Sequence, residues 1–232
     1  MARDHSPRER QRQQLARKQG RRATCDRILI VSEGSKTEPL YFLEIRSAYR
    51  LHTANVAVHH SKQGTEPLQV VQYAKDLFEQ GDRDRGIQPR AFEQVFAVFD
   101  RDEHRTYLDA VRLAESLDGR LRSDAKQAVK FKAIASVPSF ELWLLLHFED
   151  VVAPLHRGEV IKRLKHHMPS YDKGSGGAFV TTRAHLVVAT ARADRLAEKF
   201  SAMTDPEPYT GIVDLVRLLT TLQAIGDQSS AC

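Results

Sequence analysis

Two stretches decide how this chain reads: Ile28-Leu29-Ile30-Val31-Ser32-Glu33-Gly34-Ser35-Lys36-Thr37-Glu38 and Val95-Phe96-Ala97-Val98-Phe99-Asp100-Arg101-Asp102-Glu103-His104. Each opens as a β-branched, aliphatic or aromatic run long enough for one buried strand. Each then stops abruptly at carboxylates. In an open parallel sheet, ligands bind beyond the carboxyl ends of the strands. Carboxylates gathered there repel one another unless a hard cation lies between them, and Mg²⁺ takes oxygen donors of this kind. The pair of stretches therefore predicts metal-assisted phosphate chemistry.

Working outward, strands and helices alternate. Arg27–Ser32 reads as a buried strand. Thr37 is placed to N-cap a helix carrying Glu38 and Pro39 in its first turn and running to about Tyr49. Asn55–His60 is the second strand, and Thr65-Glu66-Pro67 opens a helix to about Glu79. Gly81–Arg90 is a charged surface loop, and Val95–Asp100 is the third strand. Leu108, Val111, Ala114 and Leu117 give Thr106–Leu117 a helical period, and Lys130–Ala135 is a fourth strand. Such alternation implies an α/β fold with a mostly parallel sheet flanked by helices. After Ser136 the sequence predicts helices only, over Phe140–Phe148, Glu159–His167, Thr181–Phe200 and Gly211–Ile225. The glycine-rich Ser170–Ala178 reads as a mobile surface loop. The expected organisation is a basic flexible arm at 1–24, an α/β core at 25–136 and a C-terminal helical extension at 137–232 packed on that core.

Bulk properties narrow the class. A chain of 232 residues, 41% hydrophobic and 28% charged, buries a core without staples and fits a soluble globular protein. The only cysteines are Cys25 and Cys232, so neither a zinc site nor a disulfide framework is indicated, and a cytoplasmic location is expected. No apolar h-region and no run of membrane-spanning length is present. The formal charge of +5 is unevenly placed: residues 1–24 hold eight Arg and Lys against two acids, a net +6, which leaves −1 for residues 25–232. A basic, apolar-poor arm favours nucleic-acid phosphates through counterion release, with Arg8, Arg10, Arg12, Arg17, Lys18, Arg21 and Arg22 as the candidate contacts. The plainer alternative is a solvated tail.

Candidate site residues follow from the two stretches. Glu33 is a candidate metal ligand and a candidate general acid or base; the alternative is an ordinary loop acid. Gly34 is expected to allow a positive φ and a close approach by a ligand. Asp100 and Asp102, two apart at a strand end, project to one side and suit one cation, although surface acids or a helix cap use the same spacing. Lys36 is placed to pair with a phosphate, or is an exposed loop lysine. Glu141, an acid inside the apolar run Ser139-Phe140-Glu141-Leu142-Trp143, either completes the carboxylate cluster or pairs with an arginine. His104 is a candidate general base or support for the acids. His147 and Trp143 read as packed core, and the adjacent pairs His59-His60 and His166-His167 point to different faces. Tyr171 and Lys173 either clamp nucleic acid or belong to a mobile loop.

The same residues carry a resemblance. Glu33 followed by Asp100-x-Asp102 at the end of a later strand resembles the Toprim domain of topoisomerases, primases and nucleases. More closely, Ile28–Tyr41, Val95–His104 and Ser136–Phe148 resemble the RloB family of bacterial proteins. The resemblance implies a Toprim-like fold, Mg²⁺ (with Mn²⁺ as substitute) and a role in anti-phage defence, of the abortive-infection kind. It also implies an ABC/AAA-type ATPase partner encoded nearby, and metal and catalytic positions at Glu33, Asp100 and Asp102. The family's NPST stretch stands here as Glu207-Pro208-Tyr209-Thr210. The expected activity is Mg²⁺-dependent hydrolysis of phosphodiester bonds in DNA, RNA or tRNA. The alternative is a non-catalytic scaffold that docks nucleic acid or the ATPase.

Overall fold

The structure, a computed structural model, describes residues 26–53, 55–101, 104–203 and 208–228. The basic arm, Asp102, Glu103 and Glu207 lie outside the described residues. Four strands run parallel: β1 (Ile28–Ser32), β2 (Val56–His60), β3 (Gln94–Asp100) and β4 (Lys130–Val137). A short β5 (Tyr209–Thr210) closes the sheet antiparallel to β4, in the order β2-β1-β3-β4-β5. β1 and β3 are buried along their whole length, which is why their sequences are continuous apolar runs rather than alternating ones.

The alternation of side chains separates two cores. Ile28, Ile30, Phe96 and Val98 point to one face, where α1 (Thr37–Ala48) buries Tyr41, Phe42 and Ile45. Leu29, Val31, Val95, Ala97 and Phe99 point to the other face. There α2 (Pro67–Gln80) buries Val70, Val71, Ala74, Leu77 and Phe78, and α3 (Tyr107–Leu117) buries Tyr107, Ala110, Val111 and Ala114. Both sets recur at three- and four-residue steps, the period of one helix face.

The tail helices cover the α1 face. α4 (Glu141–Leu145) is buried all round, and Trp143 donates its indole N–H to the Tyr41 hydroxyl at 2.7 Å. α5 (Arg157–His167), α6 (Ala178–Thr182), α7 (Leu186–Ala197) and α8 (Ile212–Gln228) follow. His147 is buried, its Nδ1 lies 2.9 Å from the Trp143 carbonyl, and burial lowers its pKa to about 4.

Four expectations are corrected. Thr37 does not cap α1; it is the first helical residue, behind Lys36, and no side chain caps that end. The expected helix over Thr181–Phe200 is broken into α6, a 3₁₀ turn at Arg183–His185 and α7. Thr181 and Thr182 bond their hydroxyls back to the carbonyls of Gly177 and Ala178, both at 2.8 Å, a competition that bends helices. The tail is not helical throughout, because Tyr209–Thr210 pairs with Val137 and Ser136; two residues are too few to show a strand period. The 170–178 loop is anchored rather than loose. The Glu44 carboxylate accepts from the Gly177 N–H at 2.5 Å and the Phe179 N–H at 2.9 Å. Gly174, at φ +80°, packs so closely on the Lys36 side chain that a Cβ there would collide with it.

Candidate functional site

The chain leaves β1 for the outer strand β2 and then returns to the other side of β1 as β3. Such a reversal opens a crevice at the carboxyl ends of the two central strands. Glu33 and Asp100 stand at those two ends. Glu33 prolongs the pairing with its own N–H on the Val98 carbonyl at 2.8 Å, and its Oε2 accepts from the Asp100 N–H at 3.0 Å. His104 lies between two acids: Nε2 is 3.6 Å from Glu33 Oε1, and Nδ1 is 3.2 Å from Glu66 Oε1. Glu66, at the start of α2, is held in turn by the Thr106 hydroxyl at 2.7 Å.

Asp100 projects to the α1 face, as Phe96 and Val98 do, and is 8% exposed. Burial raises its carboxyl well above the usual range. Glu38, Glu33 and Glu141 raise it further, against Arg157. Glu38, also 8% exposed, is pushed up to about 7 by burial and then by Glu33 and Glu141, with its own backbone N–H and Lys173 opposing. Burial also raises Glu33, against the Asp100 N–H, His104 and Arg157. Glu141, 1% exposed, both faces this cluster and holds a cation partner, which is a lysine rather than an arginine. Its Oε1 meets Lys173 Nζ at 2.7 Å and accepts from the Tyr171 hydroxyl at 3.1 Å; its Oε2 accepts from the Ser139 hydroxyl at 2.7 Å.

Glu38 is the residue that sequence reasoning missed, having taken it for a first-turn helix acid. The signal was present: Glu38 falls on the α1 face that carries Tyr41, Phe42 and Ile45, so it had to point inward. Gly34 is also explained differently. It is not among the positive-φ glycines; a Cβ at Gly34 would run into the Glu38 carboxylate, so close approach is what requires glycine.

The family model for RloB-like proteins matches residues 28–219, from the first residue of β1 into α8. The chain belongs to the RloB-like family. No curated protein and no solved structure gave a significant match.

The matched span of this RloB-like chain contains Glu33, Glu38, Asp100 and Glu141. It also contains Lys36, which is exposed and forms no ion pair with the cluster among the described residues. Lys173 is 42% exposed at its side chain and turned onto Glu141. Asp102 and the arm residues Arg8 to Arg22 lie outside the described residues. Among the described residues, no three His, Cys, Asp or Glu groups are arranged to hold one metal ion. The chemistry of the donors nevertheless fits a hard cation: these are carboxylate oxygens, and burial, with the neighbouring acids adding to it, raises Asp100 and Glu38 despite the protein's own opposing groups. Glu33 is engaged by the Asp100 N–H, and Glu141 by Ser139, Tyr171 and Lys173; Asp100 and Glu38, the carboxyls raised by both burial and neighbouring acids, would gain from a cation's arrival. Beside the acids opens a cleft of about 730 Å³, with Arg101, His104, His156 and Arg157 among its lining residues. No helix among the described residues is long and apolar enough to cross a membrane.

Proposed function

We propose that this RloB-like protein is a divalent-cation-dependent nuclease with a Toprim-like active centre, cutting phosphodiester bonds in DNA or RNA, tRNA included. The observation that carries the reading is Asp100: a buried carboxylate at a strand-order reversal, surrounded by Glu33, Glu38 and Glu141. Buried like charges are costly, and a structural scaffold gains nothing from gathering them. Mg²⁺ or Mn²⁺, when bound, supplies charge neutralisation and a water of lowered pKa. Asp100 and Glu38 are the residues to hold it, joined by Asp102 from the same motif. Burial raises the Glu33 carboxyl, which suits it to holding and passing on a proton, and His104 at 3.6 Å is placed to exchange that proton with it.

The test is cleavage of labelled DNA, RNA and tRNA with Mg²⁺, Mn²⁺ or EDTA, by the protein alone and with a co-encoded ABC/AAA-type ATPase. Metal-dependent cleavage that Asp100→Ala abolishes supports the reading. No cleavage of any of the three under any of these conditions rejects it. One observation favours a second reading, a non-catalytic scaffold for nucleic acid or ATPase: the Glu33 carboxylate clasps the Asp100 N–H and so has a structural use. On that reading nucleic acid binds without metal and is not cut. The family resemblance adds a role in phage defence, tested by plating efficiency on cells that carry the wild type or Asp100→Ala.

A further inference from the structure

The cleft beside the carboxylates is lined by two kinds of side chain. Arg101, His104, His156 and Arg157 are cationic or polar. Pro138, Leu155 and Ile161 are aliphatic. The cleft adjoins the acids: the lining Arg101 follows Asp100 in the chain, and the lining His104 is 3.6 Å from the Glu33 carboxylate. His156 is fixed by its ring Nδ1, which accepts the Gly158 N–H at 3.1 Å and so orients the start of α5. Arg101 is steadied by the Tyr107 ring, 5.3 Å from its guanidinium carbon.

The two kinds of side chain together select an occupant. Guanidinium groups match phosphate oxygens in charge and geometry. Aliphatic side chains offer nothing to a phosphodiester backbone, but they pack well against the flat face of a base. A continuous duplex keeps its bases stacked inside and presents phosphates outward, so it would leave those side chains bare. A volume of about 730 Å³ is ample for one nucleotide turned out of a stack. We infer that this cleft seats an unpaired nucleotide next to the bond to be cut, with its phosphate on Arg157 and Arg101 and its base on Pro138, Leu155 and Ile161. The substrate class is then single-stranded or looped nucleic acid. The position of the cut bond rests on the nuclease reading; the binding itself does not.

Binding is therefore measured in EDTA, where no cleavage occurs, by fluorescence anisotropy of a labelled 12-nucleotide single strand and the blunt duplex of the same sequence. The single strand is expected to bind about tenfold tighter or more, the worth of one or two base contacts. Arg157→Gln should weaken it by about tenfold and flatten the salt dependence by about 0.7 in log–log slope, one phosphate contact. Leu155→Asn should weaken it with the slope unchanged. A wild-type measurement removes dependence on the variants: a 4-thiouridine strand should cross-link to the peptide at residues 154–161. Duplex bound as tightly as single strand, Arg157→Gln binding like wild type while folded, or cross-links that avoid this peptide would each overturn the inference. The two readings separate cleanly. Single-strand binding in the cleft without any metal-dependent cleavage sinks the nuclease and leaves the cleft; metal-dependent cleavage of duplex with cross-links elsewhere does the reverse.

Discussion

Glu38→Gln should make the metal-free protein more stable, and the size of the gain should depend on pH. Glu38 is 8% exposed and titrates at about 7 in the fold against an ordinary 4.5. The folded state therefore holds this proton more tightly than the unfolded chain. The stability linked to that proton is complete below pH 4.5, is lost as pH rises through about 7, and stays lost above it. At 1.36 kcal/mol per pH unit of separation, ionising Glu38 costs the fold about 3 kcal/mol at pH 8.5 and about 1 kcal/mol at pH 5. Glutamine keeps the shape against Gly34 and removes the titration. Urea unfolding of wild type and Glu38→Gln at the two pH values reads the difference directly. The gain should approach 3 kcal/mol at the higher pH and shrink at the lower. Millimolar Mg²⁺ should stabilise wild type more than the variant and narrow the gap. A Glu38→Gln protein less stable than wild type at pH 8.5, or one whose difference ignores pH, would refute the picture of an uncompensated acid cluster.

Three further outcomes follow from the same geometry. Asp100→Asn should raise the melting temperature at any pH above the ordinary carboxylate range in the absence of metal, since burial and three acids hold the native carboxyl well above that range, while cleavage and the thermal response to Mg²⁺ disappear. Glu33→Gln retains an amide oxygen for the Asp100 N–H, so melting should move little; single-turnover cleavage should fall by about 10²- to 10⁴-fold, the usual worth of a proton-transfer group, with Mg²⁺ affinity less affected than in Asp100→Ala. Lys173→Met leaves Glu141, 1% exposed, without its cation. The loss in urea should be about 1–2 kcal/mol, less than for a fully buried pair because Lys173 is partly in water, and Glu141→Gln added to it should recover most of that.

The strand ends were legible without coordinates because their signal is local. Ile28–Val31 and Val95–Phe99 are apolar on successive residues, as burial on both faces demands, and Glu33 and Asp100 mark where that burial stops. The helices at 37–48, 67–80 and 107–117 announced themselves by period and by the proline at the start of α2. The family, too, was readable from the motif strings, and the match over residues 28–219 bears that out. What the chain order could not disclose is which charges meet. Glu38 joins Asp100 only because α1 and the tail helices share the face to which Asp100 points. Lys173 reaches Glu141 only because Glu44, 133 residues before Gly177, anchors the glycine loop over α1. β5 exists only because β4 offers an edge. A local pattern records which residues must be buried and with what period; strand order and the packing of helices over it, which depend on contacts between distant segments, decide which buried acids share one crevice and which cation answers them.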